Sequence, residues 1–96
     1  MKKAYVLVYN DGLGTREQLI EALNQCRTVI TWRYDMANAI YIISENTADE
    51  IAKDLETIRP PGNSRYLLLE YNGNAQGRAT EETWYLLNNK EFKSET

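Results

Sequence analysis

Residues 3–9 read KAYVLVY and residues 10–14 read NDGLG, and the fold turns on how this stretch is read. Alternate positions of the first segment fall on opposite faces of an extended chain: Tyr5, Leu7 and Tyr9 on one, Ala4, Val6 and Val8 on the other. Both sets are apolar, which marks a strand lying inside its sheet and covered on both sides. Asn10, Asp11, Gly12 and Gly14 then break the pattern, as a strand-to-helix loop requires.

Working outward, Thr15 and Gln18 stand three residues apart ahead of Leu19, Ile20, Leu23 and Cys26. That spacing predicts a capping box followed by an amphipathic helix. Residues 28–35, rich in β-branched and aromatic types, predict a second strand. A short connection over 35–38 leads to a third strand over 39–44, so the two form a hairpin. Thr47 and Glu50 repeat the capping box before Ile51, Ala52, Leu55 and Ile58, and Pro60-Pro61-Gly62 ends that helix. A fourth strand is expected over 65–71, a polar loop over 72–79, and a short helix over 80–89 carrying Trp84 and Leu87. Residues 90–96 read as a frayed tail.

The order is β-α-β-β-α-β with a helical appendix, predicting one α+β domain of ferredoxin-like architecture over residues 1–96, built on an antiparallel sheet. Both main helices then pack on one face of the sheet. The other face is too apolar to stay bare in a monomer, and a second copy packed sheet to sheet is the expected cover. A dimer face of Tyr5, Leu7, Tyr9, Tyr41, Tyr66 and Leu68 follows.

Composition narrows the chemistry. The 96 residues carry 43% hydrophobic and 26% charged side chains, inside the globular range. There is no histidine and one cysteine, Cys26. An internal disulfide, a Cys/His zinc site and histidine acid–base catalysis are thereby excluded. Any metal must take oxygen ligands, which points to magnesium, calcium or manganese, and beyond magnesium or manganese no cofactor is expected. Fourteen acidic residues face eleven basic ones, for a net charge of −3 and a pI of about 4.9. The basic surplus that usually drives nucleic-acid binding is missing. The apolar run behind Met1-Lys2-Lys3 is too short for a signal peptide and nothing approaches a membrane span, so a cytoplasmic location is expected.

The topology predicts that Asn10, Asp11, Arg33, Asp35 and Arg65 gather at one rim of the sheet. Two carboxylates with two guanidiniums there could hold a hard cation or a phosphate, with Asp11 and Asp35 as the metal ligands. Loop capping and surface ion pairing are the plainer role for the same residues. Tyr5, Tyr9, Tyr41 and Tyr66 could stack bases, but without a basic surround they read better as packing residues. Gly12-Leu13-Gly14 lacks the further glycine and lysine of a phosphate loop. Cys26, on the buried stripe of the first helix, reads as a core filler.

Residues 4–11, AYVLVYND, with the hairpin TVITWRYDMANAIYIIS and the segment RYLLLEYNGNAQGRATEETWYLLN, resemble the Cas-two family of CRISPR spacer-acquisition proteins. They resemble its small SinR-like and VapD-like relatives more closely. The resemblance implies a ferredoxin-like homodimer, associated either with metal-dependent nuclease activity or with non-catalytic binding of duplex DNA. It also implies an aspartate just after the tyrosine that closes the first strand. Here that position is Asn10, and the carboxylate comes one residue later, at Asp11. An amide is the poorer ligand for a hard cation, so catalysis at Asp11 is not expected.

Three functions are therefore carried forward. The first is a homodimeric, non-catalytic module that binds a protein partner or, weakly, nucleic acid. The second is a divalent-metal-dependent endonuclease. The third is a regulatory or structural dimer whose ligand is a protein or small molecule.

Overall fold

Both capping boxes form. The Thr15 side chain accepts from the Gln18 backbone N–H while the Gln18 side chain accepts from the Thr15 N–H, and Thr47 and Glu50 do the same. In the computed structural model, which describes residues 1–92, they open α1 (Arg16–Gln25) and α2 (Ala48–Ile58). The strands are β1 (Lys3–Tyr9), β2 (Thr31–Met36), β3 (Ala39–Ser44) and β4 (Tyr66–Tyr71), and α3 spans Glu81–Asn89. The molecule is a small α+β domain whose four strands form one antiparallel sheet in the order β2-β3-β1-β4.

Strand alternation sorts the core into two layers. On one face Tyr5, Leu7, Tyr9, Ile40 and Ile42 pack with Leu19 and Leu23 of α1 and with Ile51 and Leu55 of α2. On the other, Ala4, Tyr41 and Ile43 pack with Leu86 and Leu87 of α3. The expected dimer face is thereby corrected. Tyr5, Leu7 and Tyr9 are buried against the helices, and Tyr66 and Leu68 pack on the same layer. Tyr41, on the opposite face, is under α3. The periodicity of β1 is apolar on both faces, so it cannot tell which face meets the helices; the bulkier set went inward.

The chain itself supplies part of the cover that a second copy was expected to give. α3 lies over β1, β2 and β3 and reaches only the end of β4, where Tyr71 packs against its layer and donates to Asn88 at 2.7 Å, so the rest of β4 is left open. On that uncovered side Val8, Leu67 and Leu69 are 42%, 62% and 50% exposed.

β2 starts later than the sequence suggested. Thr28 is taken out of the ladder by Asp54, whose carboxylate accepts from its N–H (3.1 Å) and its hydroxyl (2.9 Å). The expected tail over 90–96 is described as far as Phe92, and residues 93–96 lie outside the described residues. Lys90 closes α3 in the left-handed region, φ 61°, with its N–H donating to Leu86 O.

Among the described residues no helix is long and apolar enough to cross a membrane.

Candidate functional site

The five residues expected at one rim fall into two separate groups. Asn10 closes the β1–β4 ladder: its N–H donates to Arg65 O at 3.2 Å, and its Oδ1 accepts from the Arg65 N–H at 3.4 Å. Asp11 accepts from Asn38 Nδ2 (3.0 Å), which also donates to Tyr9 O (3.1 Å). This first group ties the end of β1 to β4 on one side and to the β2–β3 turn on the other.

Arg33 and Asp35 sit on β2, at the far edge of the sheet from β4, and are committed to holding α3. Asp35 Oδ1 accepts from the Tyr41 hydroxyl at 2.7 Å. Its Oδ2 accepts from the Thr83 hydroxyl (2.9 Å) and the Thr80 N–H (3.1 Å). Arg33 donates from Nε to Thr83 Oγ1 (3.1 Å) and from Nη2 to Thr80 Oγ1 (3.3 Å). Thr80 is the N-cap of α3, so the carboxylate adds a charge-assisted bond where the helix has unpaired N–H groups and a positive dipole end. Burial alone would raise the pKa of Asp35. The bonds from Tyr41, Thr80 and Thr83, with the charge of Arg33, outweigh it and hold the carboxyl below its usual value. The Tyr41 hydroxyl is pushed up by burial and by the same carboxylate.

These oxygens do not fit a divalent-cation site. The Asn10 amide, the Asp11 carboxylate and the Asp35 carboxylate are each engaged by protein donors, in two different networks. Among the described residues no group of three acidic or cysteine side chains converges. The glycine loop is no phosphate cradle either. Arg59 Nε donates to Leu13 O at 2.8 Å, and a Cβ on Gly14 would lie 2.9 Å from that guanidinium. The glycine suits its own backbone, since at φ +148° a side chain there would be strained. Burial, reinforced by Asp54, pushes the Cys26 thiol up to about 11, so it stays protonated and unreactive at neutral pH.

What remains open is the surface at the β4 side. A shallow hollow of about 720 Å³ runs along Val8, Asn10, Glu56, Arg65, Tyr66 and Leu67. Its lining is mainly apolar, with charge at two points. Glu56 is bound by the Tyr66 hydroxyl, and burial with that carboxylate pushes the phenol up to about 12. The Arg65 guanidinium is exposed and forms no hydrogen bond or ion pair with the described residues. Of the expected binding residues, then, Asn10 and Arg65 border this hollow, while Arg33 and Asp35 do not.

Sequence reasoning missed Val8, Leu67 and Leu69, whose exposure follows from where α3 ends. It also missed an aromatic ladder on the other edge. The Tyr34 ring stacks on Trp32 with centroids 6.3 Å apart, and the Arg16 guanidinium lies 4.1 Å above Tyr34. Trp32 Nε1 donates to Asn24 at 2.7 Å. The alternation of Trp32, Tyr34 and an arginine was visible in the sequence, but the pairing with Arg16 needed the fold. Tyr5, Tyr9 and Tyr41, considered as base-stacking residues, are buried and offer no ring face to a ligand.

No family model, no curated protein and no solved structure matches the chain.

Proposed function

We propose that this chain is a ferredoxin-like, homodimeric domain of the Cas-two or SinR-like kind, working as a non-catalytic module that binds a partner through its β4 side. The element order β-α-β-β-α-β and the strand order β2-β3-β1-β4 support the architecture. The observation that carries the function is the uncovered apolar strip of Val8, Leu67 and Leu69 beside a hollow edged by Arg65. Exposed apolar surface gathered in one place marks an interaction site, whereas scattered exposed residues do not. The carboxylates a nuclease would need are occupied in structural bonds, which favours binding over catalysis.

Nucleic acid is the weaker ligand in this reading. The summed charge repels phosphate, so only local cations such as Arg65 can contribute. Few phosphate contacts give a shallow dependence of affinity on salt.

The test is incubation with single- and double-stranded DNA and RNA in magnesium or manganese, with Asp11→Ala as control, beside duplex binding across a salt series for wild type and Arg65→Ala. The expected result is no cleavage and weak binding that Arg65→Ala reduces. Robust cleavage abolished by Asp11→Ala would overturn the non-catalytic reading.

A further inference from the structure

We infer that β4 is a self-complementary seam, through which two copies of this chain join by antiparallel pairing of β4 with β4 about Leu68. The inference rests on the homodimeric reading above and names where the dimer is made: the backbone edge of β4 pairs, while the sheet face carrying Val8, Leu67 and Leu69 is doubled and stays open to the partner that the module binds.

β4 ends the sheet, so one of its sides has no neighbouring strand. The hydrogen-bond pattern fixes which groups point that way. Asn10, opposite Arg65 in the β1–β4 register, donates to Arg65 O. Bonding residues alternate along an antiparallel ladder, so Leu67, Leu69 and Tyr71 turn their backbone groups toward β1. Tyr66, Leu68 and Glu70 then turn theirs outward. The other side of β1 agrees, since Tyr9 donates to Asn38 O on the β3 side. Among the described residues, no hydrogen bond reaches the outward groups of Tyr66, Leu68 and Glu70.

Centring the pairing on Leu68 sets Tyr66 opposite Glu70 of the second copy and Leu68 opposite itself. These are the residues whose backbone groups point out, so every outward N–H and C=O of the strand finds a partner. On the α3 side of the sheet, Leu67 meets Leu69 of the second copy and Arg65 meets Tyr71. Apolar thus faces apolar at the centre of the seam. Centring on Glu70 instead would put the two carboxylates opposite each other and set Tyr66, Leu67 and Leu68 against the loop that follows β4, which the Leu68 register avoids. Its one like-charged approach brings Glu70 beside the Glu56–Tyr66 pair of the second copy, where both carboxylates are exposed and solvent screens them. The sequence of β4, YLLLEY, contains no proline or lysine, the residues that usually discourage edge pairing.

The experiment combines light scattering with residue-resolved amide exchange at several protein concentrations, on wild type and on Glu70→Pro. Proline at position 70 removes only an outward N–H, so the β1–β4 ladder and the apolar core are untouched. Wild type should scatter at about twice the 11.1 kDa chain mass, and the Tyr66, Leu68 and Glu70 amides should become protected as concentration rises. Glu70→Pro should raise the dimer Kd at least about tenfold while keeping Leu67 and Leu69 protected. A dimer whose outward amides exchange freely would overturn the seam and leave the dimeric binding module standing. A Glu70→Pro protein that dimerises as tightly as wild type would do the same. A monomer at micromolar concentration would overturn both. Should the proline variant fail to fold, the exchange pattern of the wild type decides alone.

Discussion

The two edges of this sheet are built by opposite means. At β2 the register with β3 is interrupted between Arg33 and Met36, Asp35 and Arg33 bind the first turn of α3, and the Trp32–Tyr34–Arg16 ladder covers the opposite face. Bulges and charged side chains at an edge discourage the approach of another strand. At β4 the pairing with β1 is regular over six residues, Glu70 is the one charge, and two leucines are exposed. An edge strand can therefore be closed off by the same residues that organise the rest of the fold. In this chain that is done on one side only.

The largest effect is expected where the closed edge is broken. Asp35→Ala would leave the Tyr41 and Thr83 hydroxyls and the Thr80 N–H without their acceptor, in a half-buried setting. Hydrogen bonds to a charged group contribute roughly 1.5–3 kcal/mol each and are not additive, so a loss of about 3 kcal/mol is expected. Chemical denaturation measures it, and amide exchange should show α3 opening before the sheet does. The same carboxylate sets an acid limit. Its folded pKa lies below the ordinary aspartate value of 3.8, so its contribution is complete above that value and is lost as pH falls through the folded pKa. Glu50, lowered chiefly by the Thr47 N–H of its capping box, acts in the same direction. Asp35→Asn should flatten most of the acid dependence, and an unchanged pH profile would show that the clamp contributes little.

A smaller effect is expected from the ladder on the other face of β2. Tyr34→Ala removes both the stack on Trp32 and the ring beneath Arg16. Aromatic pairs contribute about 0.5–1.5 kcal/mol beyond their buried area, and an exposed cation–π contact about 0.5–1 kcal/mol. The expected loss is about 1.5 kcal/mol by denaturation. It should be smaller for Tyr34→Phe, which keeps both ring contacts. Equal losses in the two variants would place the contribution in the hydroxyl.

How much of this was legible in the sequence depended on how local the signal was. Thr15 with Gln18 and Thr47 with Glu50 announce their helices because a capping box is complete within four residues. The strands at 3–9 and 39–44 were found at their observed boundaries, since their apolar runs are bounded by loop residues. The role of Asp35 was hidden because its partners, Thr80 and Thr83, are more than forty residues away and look like ordinary helix-start residues. The facing of β1 was hidden for a different reason. Tyr5-Leu7-Tyr9 and Ala4-Val6-Val8 are both apolar, so either set could have met the helices, and the expected dimer face was drawn from the wrong set. The exposed strip at Val8, Leu67 and Leu69 became visible only once α3 was seen to reach no further along β4 than Tyr71.

The smallest effect on folding, and the sharpest separation between the edges, should come from Leu67→Lys combined with Leu69→Lys. Both side chains are at least half exposed and belong to neither core layer. Their replacement at concentrations where the chain is monomeric should therefore change stability by less than about 0.5 kcal/mol. Association should respond in the opposite way. In the proposed seam, position 67 of one copy lies opposite position 69 of the other, so the double variant sets like charges against each other along the twofold. Like charges directly opposed across an antiparallel pair are destabilising, and sedimentation should find a monomer that remains fully folded. A charge-reversed protein carrying Leu67→Glu and Leu69→Glu should behave identically alone. Mixed in equal amounts, the two variants should form a heterodimer that neither homodimer matches, because specificity follows the difference between attractive and repulsive pairings. That heterodimer should weaken as salt is raised, since its added ion pairs are exposed. If the lysine variant dimerises as well as wild type, these leucines lie outside the contact and the open edge needs another explanation.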